Sequence, residues 1–89
     1  MSSIPLKMNI LQIINLHPGS TIQDIYIRSK VDYKKEKQVN MKNLEYLIGT
    51  LKAVGFVEVQ DVLPGEDGGI TETYKLSASG KDALKYIPK

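Results

Sequence analysis

The chain has no cysteine and no tryptophan, and histidine, phenylalanine and arginine occur once each, at His17, Phe56 and Arg28. Without cysteine there can be no disulfide, no thiolate nucleophile and no thiolate-ligated metal site. His17 sits beside a turn proline with no partner residue in view, and the carboxylates are spread without pairing or ligand spacing. General-base and metal chemistry therefore lack their groups, so no enzyme and no cofactor are expected. The GEDGG stretch completes neither a phosphate loop nor a calcium loop. No apolar run approaches the roughly 20 residues that cross a bilayer. The first residues also lack a basic segment leading into an apolar one, so a cytoplasmic protein is expected.

Basic residues are missing from one stretch in particular. Ala53 to Tyr74 holds five acids (Glu58, Asp61, Glu66, Asp67, Glu72) and no base. The preceding stretch, Arg28 to Lys52, holds seven bases against three acids. A formal net charge of only +2 thus hides a dipolar molecule. Basic residues concentrated in one region are the electrostatic footprint of a nucleic-acid binder, and also the composition of an ordinary solvated surface.

The 89 residues suffice for one domain, read here as 1–89. Its central element is predicted over Asn40 to Val57. There Leu44, Leu47, Ile48, Leu51 and Val54 form the apolar stripe of an amphipathic helix, with Asn40 as N-cap and Gly55 as the residue that ends it. The outward positions carry Lys42, Asn43, Glu45, Tyr46, Thr50 and Lys52. A first helix is predicted from Ser3 to Leu16, with Ser3 capping and Pro5 in the first turn, Leu6, Ile10, Ile13 and Ile14 on one face and Asn9, Gln12 and Asn15 on the polar side. Its apolar arc is wide for a helix with one buried face, which a dimer seam or a fully wrapped helix would each explain. The HPGS turn at 17–20 leads into a second helix capped at Ser20 or Thr21 and running to about Lys30, with Thr21 and Asp24 spaced as a capping box. Val31 to Val39 reads as a basic loop or short turn in preference to extra helix, which Asp32 would cap. Strands are predicted over Phe56 to Val62 and Ile70 to Leu76, joined by LPGEDGG, and Ser77 caps a last helix.

Three segments carry a family resemblance. Leu51 to Val57 (LKAVGFV) is similar to the LxxxGhV ending of a recognition helix. Tyr74 to Gly80 (YKLSASG) is similar to the YxLTxxG segment that leaves a wing, and His17 to Ile22 (HPGSTI) resembles the turn opening a second helix. Together, in this order, they resemble a winged helix-turn-helix domain of the MarR and PadR type. That resemblance implies an α+β fold with three helices, a two-stranded β-hairpin wing and a C-terminal helix. It further implies sequence-specific binding of double-stranded DNA by a small homodimeric transcriptional regulator, its third helix in the major groove and its two heads about 34 Å apart.

Carried over by position, the groove-facing residues are Lys42, Asn43 and Tyr46, with Met41 and Thr50 nearby. Asparagine can bond adenine, lysine guanine or phosphate, and tyrosine phosphate. Thr21 matches the second-helix cap that approaches a phosphate. Arg28, Lys30, Lys34, Lys35 and Lys37 form the surrounding basic set. The homodimer is expected through Ile4, Leu6, Ile13, Tyr86 and Ile87. A protein-contact module in a transcription or other assembly is the alternative. It is favoured by the acidic hairpin and the lone arginine, and opposed by the lysine cluster spanning the second and third helices. About nine residues join those helices against about three or four in a helix-turn-helix, and their lysines (Lys34, Lys35, Lys37) could add phosphate contacts.

Overall fold

In a computed structural model, residues 5–33, 37, 39–65 and 67–86 are described. They form an α+β domain of four helices and one antiparallel hairpin: α1 (Leu6–Leu16), α2 (Ile22–Asp32), α3 (Met41–Ala53), β1 (Val57–Pro64), β2 (Ile70–Leu76) and α4 (Ala78–Ala83), which runs into a 3-10 turn at Leu84–Tyr86. No helix among the described residues is long and apolar enough to cross a membrane.

The core is built between α1, α2 and α3 and closed by the inner half of the hairpin. Leu6, Ile10, Leu11, Ile13 and Ile14 of α1 are all buried, with Ile25 of α2, Leu44, Ile48 and Leu51 of α3, and Val57, Tyr74 and Leu76 of the strands. The wide arc of α1 is therefore taken up by its own domain. Leu6 and Ile13, expected at a dimer seam, lie in this core, whereas Tyr86 is exposed and Ile4 and Ile87 fall outside the described residues.

Several local details differ from expectation. Pro5 is the N-cap residue of α1 and not part of its first turn: its extended backbone leaves its carbonyl to accept from the Met8 and Asn9 N–H groups at 3.0 Å each. Ser3 lies outside the described residues. Asn9, placed on the polar side by periodicity, is only 4% exposed, because α2 passes over it and Asp32 accepts from its amide at 2.8 Å. Asp32 is consequently the last residue of α2 instead of a cap for further helix. Val54 is 60% exposed: it is the C-cap of α3, past the point where the stripe faces the core. β1 runs two residues beyond Val62 and starts at Val57, with a register shift between Val59 and Asp61 that leaves Gln60 without a partner on β2.

The end of α3 is closed by backbone geometry. Gly55 adopts φ +83°, its N–H donates to the Lys52 carbonyl at 3.0 Å, and the Phe56 N–H donates to the Leu51 carbonyl at 2.9 Å. This pair of bonds satisfies carbonyls that would otherwise be orphaned, and the left-handed turn they need favours glycine. Ser77 then holds this corner from the other side. Its hydroxyl donates to the Gly55 carbonyl, its N–H donates to the Phe56 carbonyl at 3.0 Å, and its oxygen also accepts from Gly80 N–H at the start of α4. The loop before α2 joins the same assembly: Gly19 N–H donates to the Tyr74 carbonyl at 2.9 Å and Tyr74 N–H to the Ser20 carbonyl at 3.0 Å. Ser20 thereby adds a one-residue strand to the hairpin. The three segments that carry the family resemblance are thus bonded to one another.

Candidate nucleic-acid interface

The first turn of α3 is fixed by Asn40. Its side-chain oxygen accepts from Asn43 N–H at 2.9 Å, which caps the helix, and its amide donates to the Lys37 carbonyl at 2.8 Å. One side chain thus starts the helix and pins a lysine of the preceding loop beside it. From there Lys42 and Tyr46 project into solvent, Tyr46 68% exposed, while Asn43 is half-buried between them. Replacing Asn40 with alanine should cost about 1 kcal/mol through the lost cap alone. In thermal unfolding that is a midpoint lowered by roughly 5 °C; an unchanged midpoint would show that the cap contributes nothing.

Lys37, Asn40, Lys42, Asn43, Tyr46 and Leu47 line one side of an open groove of about 810 Å³. Pro5, Leu6 and Lys7 at the start of α1 line the other. Three lysines therefore rim a partly apolar depression, and no carboxylate among the described residues lines it. Lys7 is not among the residues that sequence pattern singles out, because its place beside α3 follows from how α1 docks and from no local signal.

The other expected contact residues are dispersed. Thr21 does cap α2: its hydroxyl oxygen accepts from Asp24 N–H at 3.2 Å and its own N–H donates to Asp24 at 3.0 Å, completing the capping box. Arg28 is exposed on α2, and the Lys30 ammonium lies 5.8 Å from the centre of the Tyr26 ring. Neither Thr21, Arg28 nor Lys30 lines the groove. Met41 is half-buried, and the Thr50 hydroxyl donates to its own helix at Leu47 over 2.8 Å. Lys34 and Lys35 lie outside the described residues.

The flank of α3 that faces the hairpin has the opposite character. Lys52 pairs with Glu72 of β2 at 3.1 Å, and the Tyr74 hydroxyl donates to the same carboxylate oxygen at 3.2 Å. Burial, followed by the charges of Glu72 and Glu45, pushes the Tyr74 phenol up to about 12. Glu45, Gly49, Lys52 and Glu72 line a shallow recess there with Ile22 and Tyr74. Among the described residues no group of three or more His, Asp or Glu is placed to hold a metal ion.

No protein-family model matches the chain, and no curated protein is significantly similar to it in sequence. The functional reading therefore stands on the residues themselves. α3 thus carries two flanks of different character: a lysine-rimmed groove toward α1, and an acid-containing recess toward the hairpin, whose lysine among the described residues, Lys52, is already paired.

Proposed function

We infer that the chain is a winged helix-turn-helix domain that binds double-stranded DNA through α3, as a small transcriptional regulator. The fold part of this reading is supported by the mutual bonding of the HPGST turn, the Gly55 corner and the Tyr74 to Gly80 segment, which sets the hairpin beside α3. The DNA part is carried by one observation. Lys7, Lys37 and Lys42 flank Asn43 and Tyr46 around a groove with no carboxylate among its described residues, a surface suited to phosphates with an amide and a phenol beside them. A second copy for the other half-site would have to use the large side chains that α1 and the 3-10 turn still expose, Leu16 and Tyr86.

A mobility-shift assay on random duplex at two salt concentrations tests the reading. If the three lysines each neutralise one phosphate, log affinity should fall against log salt with a slope of about −3. Lys42→Ala should reduce that slope by about 1, and Tyr46→Ala should weaken binding several-fold, roughly fivefold, with the slope retained. Circular dichroism of both variants should match the parent, since both side chains stand in solvent. Absence of any shift at low salt would remove DNA from the reading.

The hairpin flank favours a second reading, a winged helix used for protein contacts. Glu45 and Glu72 sit on that side of α3, and no base occurs between Ala53 and Tyr74 to meet a phosphate.

A further inference from the structure

The domain carries two exposed surfaces of opposite charge, each combined with apolar side chains. The first is the groove between the start of α1 and the first half of α3, lined by Leu47 and the exposed Tyr46 together with Lys7, Lys37 and Lys42. The second is the outer half of the hairpin. Val62, Leu63 and Ile70 are all exposed there, Ile70 by 74%, and the cross-strand register places Val62, Pro64 and Ile70 on one face of the hairpin and Leu63 on the other. Asp61 and Asp67 are exposed beside them; each accepts one local backbone N–H, from Val62 and Gly69 at 3.0 Å, and neither is paired with a lysine or arginine among the described residues. Large apolar side chains exposed on both faces of a hairpin suit a segment that is enclosed from two sides, as in a groove.

We propose that the hairpin of a second copy of this chain seats in the lysine-rimmed groove, its carboxylates meeting the lysines and its apolar side chains meeting Leu47 and Tyr46. A second copy is the occupant that charge complementarity selects, because every copy brings both halves of the match. The groove is open and not enclosed, which suits a projecting chain segment better than a small ligand that must lose most of its hydration. Joining one surface to a different surface is a heterologous contact, so it links successive copies into a ring or an open chain. A groove filled in this way also covers Lys42 and Tyr46, so assembly and DNA binding exclude one another; that consequence alone rests on the DNA reading above.

Sedimentation velocity on the full chain, without DNA, tests the contact. At high concentration (about 1 mM) in low salt the protein should sediment as species larger than the monomer. In about 1 M salt, where screening acts within about 3 Å, it should return to monomer. Lys37→Glu with Lys42→Glu, or Asp61→Lys with Asp67→Lys, should each weaken association at least about tenfold. Mixing the two variants should restore it, since each then meets a surface of opposite sign. A monomer under all conditions overturns the proposal. So does association that survives 1 M salt or ignores the charge reversals, which would belong to the uncharged Leu16 and Tyr86 seam instead. These substitutions lie in solvent, and the salt response of the unaltered chain tests the contact without them.

Discussion

Gly80→Ala should destabilise the domain by about 3 kcal/mol or more, a midpoint lowered by some 15 °C in thermal unfolding. A Cβ at this position would lie 2.1 Å from the Phe56 carbonyl oxygen, 3.0 Å from its carbon and 3.3 Å from its Cα. All three are backbone atoms, so no side chain can swing away to make room. Phe56 cannot move freely either. Its N–H is bonded to Leu51 at the end of α3, and its carbonyl already accepts from Ser77. The added methyl must therefore push α4 off the corner, with loss of the Ser77 contacts to Gly55 and Phe56. Gly49→Ala supplies the contrast. It lies within α3 with nothing near its Cβ position, so alanine there should stabilise by roughly 0.5–1 kcal/mol through helix propensity. Finding the two substitutions equal in effect would mean that Gly80 is not the point where α4 rests on the corner.

The second large effect is expected in alkali. Tyr74 is 8% exposed, and its phenol is held up to about 12, first by burial and then by Glu72 and Glu45, against an ordinary value of 10.0. Above pH 10 the unfolded chain releases this proton while the folded chain keeps it, so the native state binds more protons and stability falls as pH rises. Below pH 10 the contribution is intact, and it is lost progressively up to about pH 12, on the order of 2 kcal/mol in all. Urea unfolding at intervals from pH 8 to pH 12 should show this decline. Tyr74→Phe has no proton to release and should lack that part of it. If the parent and the phenylalanine variant decline in parallel, the phenol is not held in its protonated form by its surroundings.

The parts of this fold that can be read from the sequence are those settled within one turn of chain. Asn40 caps α3, Thr21 and Asp24 form their box and Ser77 caps α4, because each bond joins atoms three residues apart. Gly55 ends α3 for the same local reason. Periodicity also locates the interior of α3, yet it misjudges Asn9 and Val54, whose surroundings come from other elements. Asn9 is buried by α2, and Val54 lies where the core has already ended. The candidate site divides in the same way. Lys42 and Tyr46 can be placed outward by helical phase, whereas Lys7 joins them only through the docking of α1. The pairing of Lys52 with Glu72 spans 20 residues, and nothing in the spacing of either residue announces it.

The unpaired Gln60 divides the hairpin into two regions with different obligations. Inside it, Val57 and Val59 pair with Leu76 and Tyr74 against the core, while outside it β1 is exposed from Asp61 to Pro64 and β2 keeps its tie to the helices through Glu72 and Lys52. An extra residue absorbs a change of phase and bends the strand locally. Insertions, deletions or grafted loops placed between Pro64 and Ile70 should consequently leave the helices undisturbed, which makes that tip the natural place to graft a foreign segment onto the scaffold.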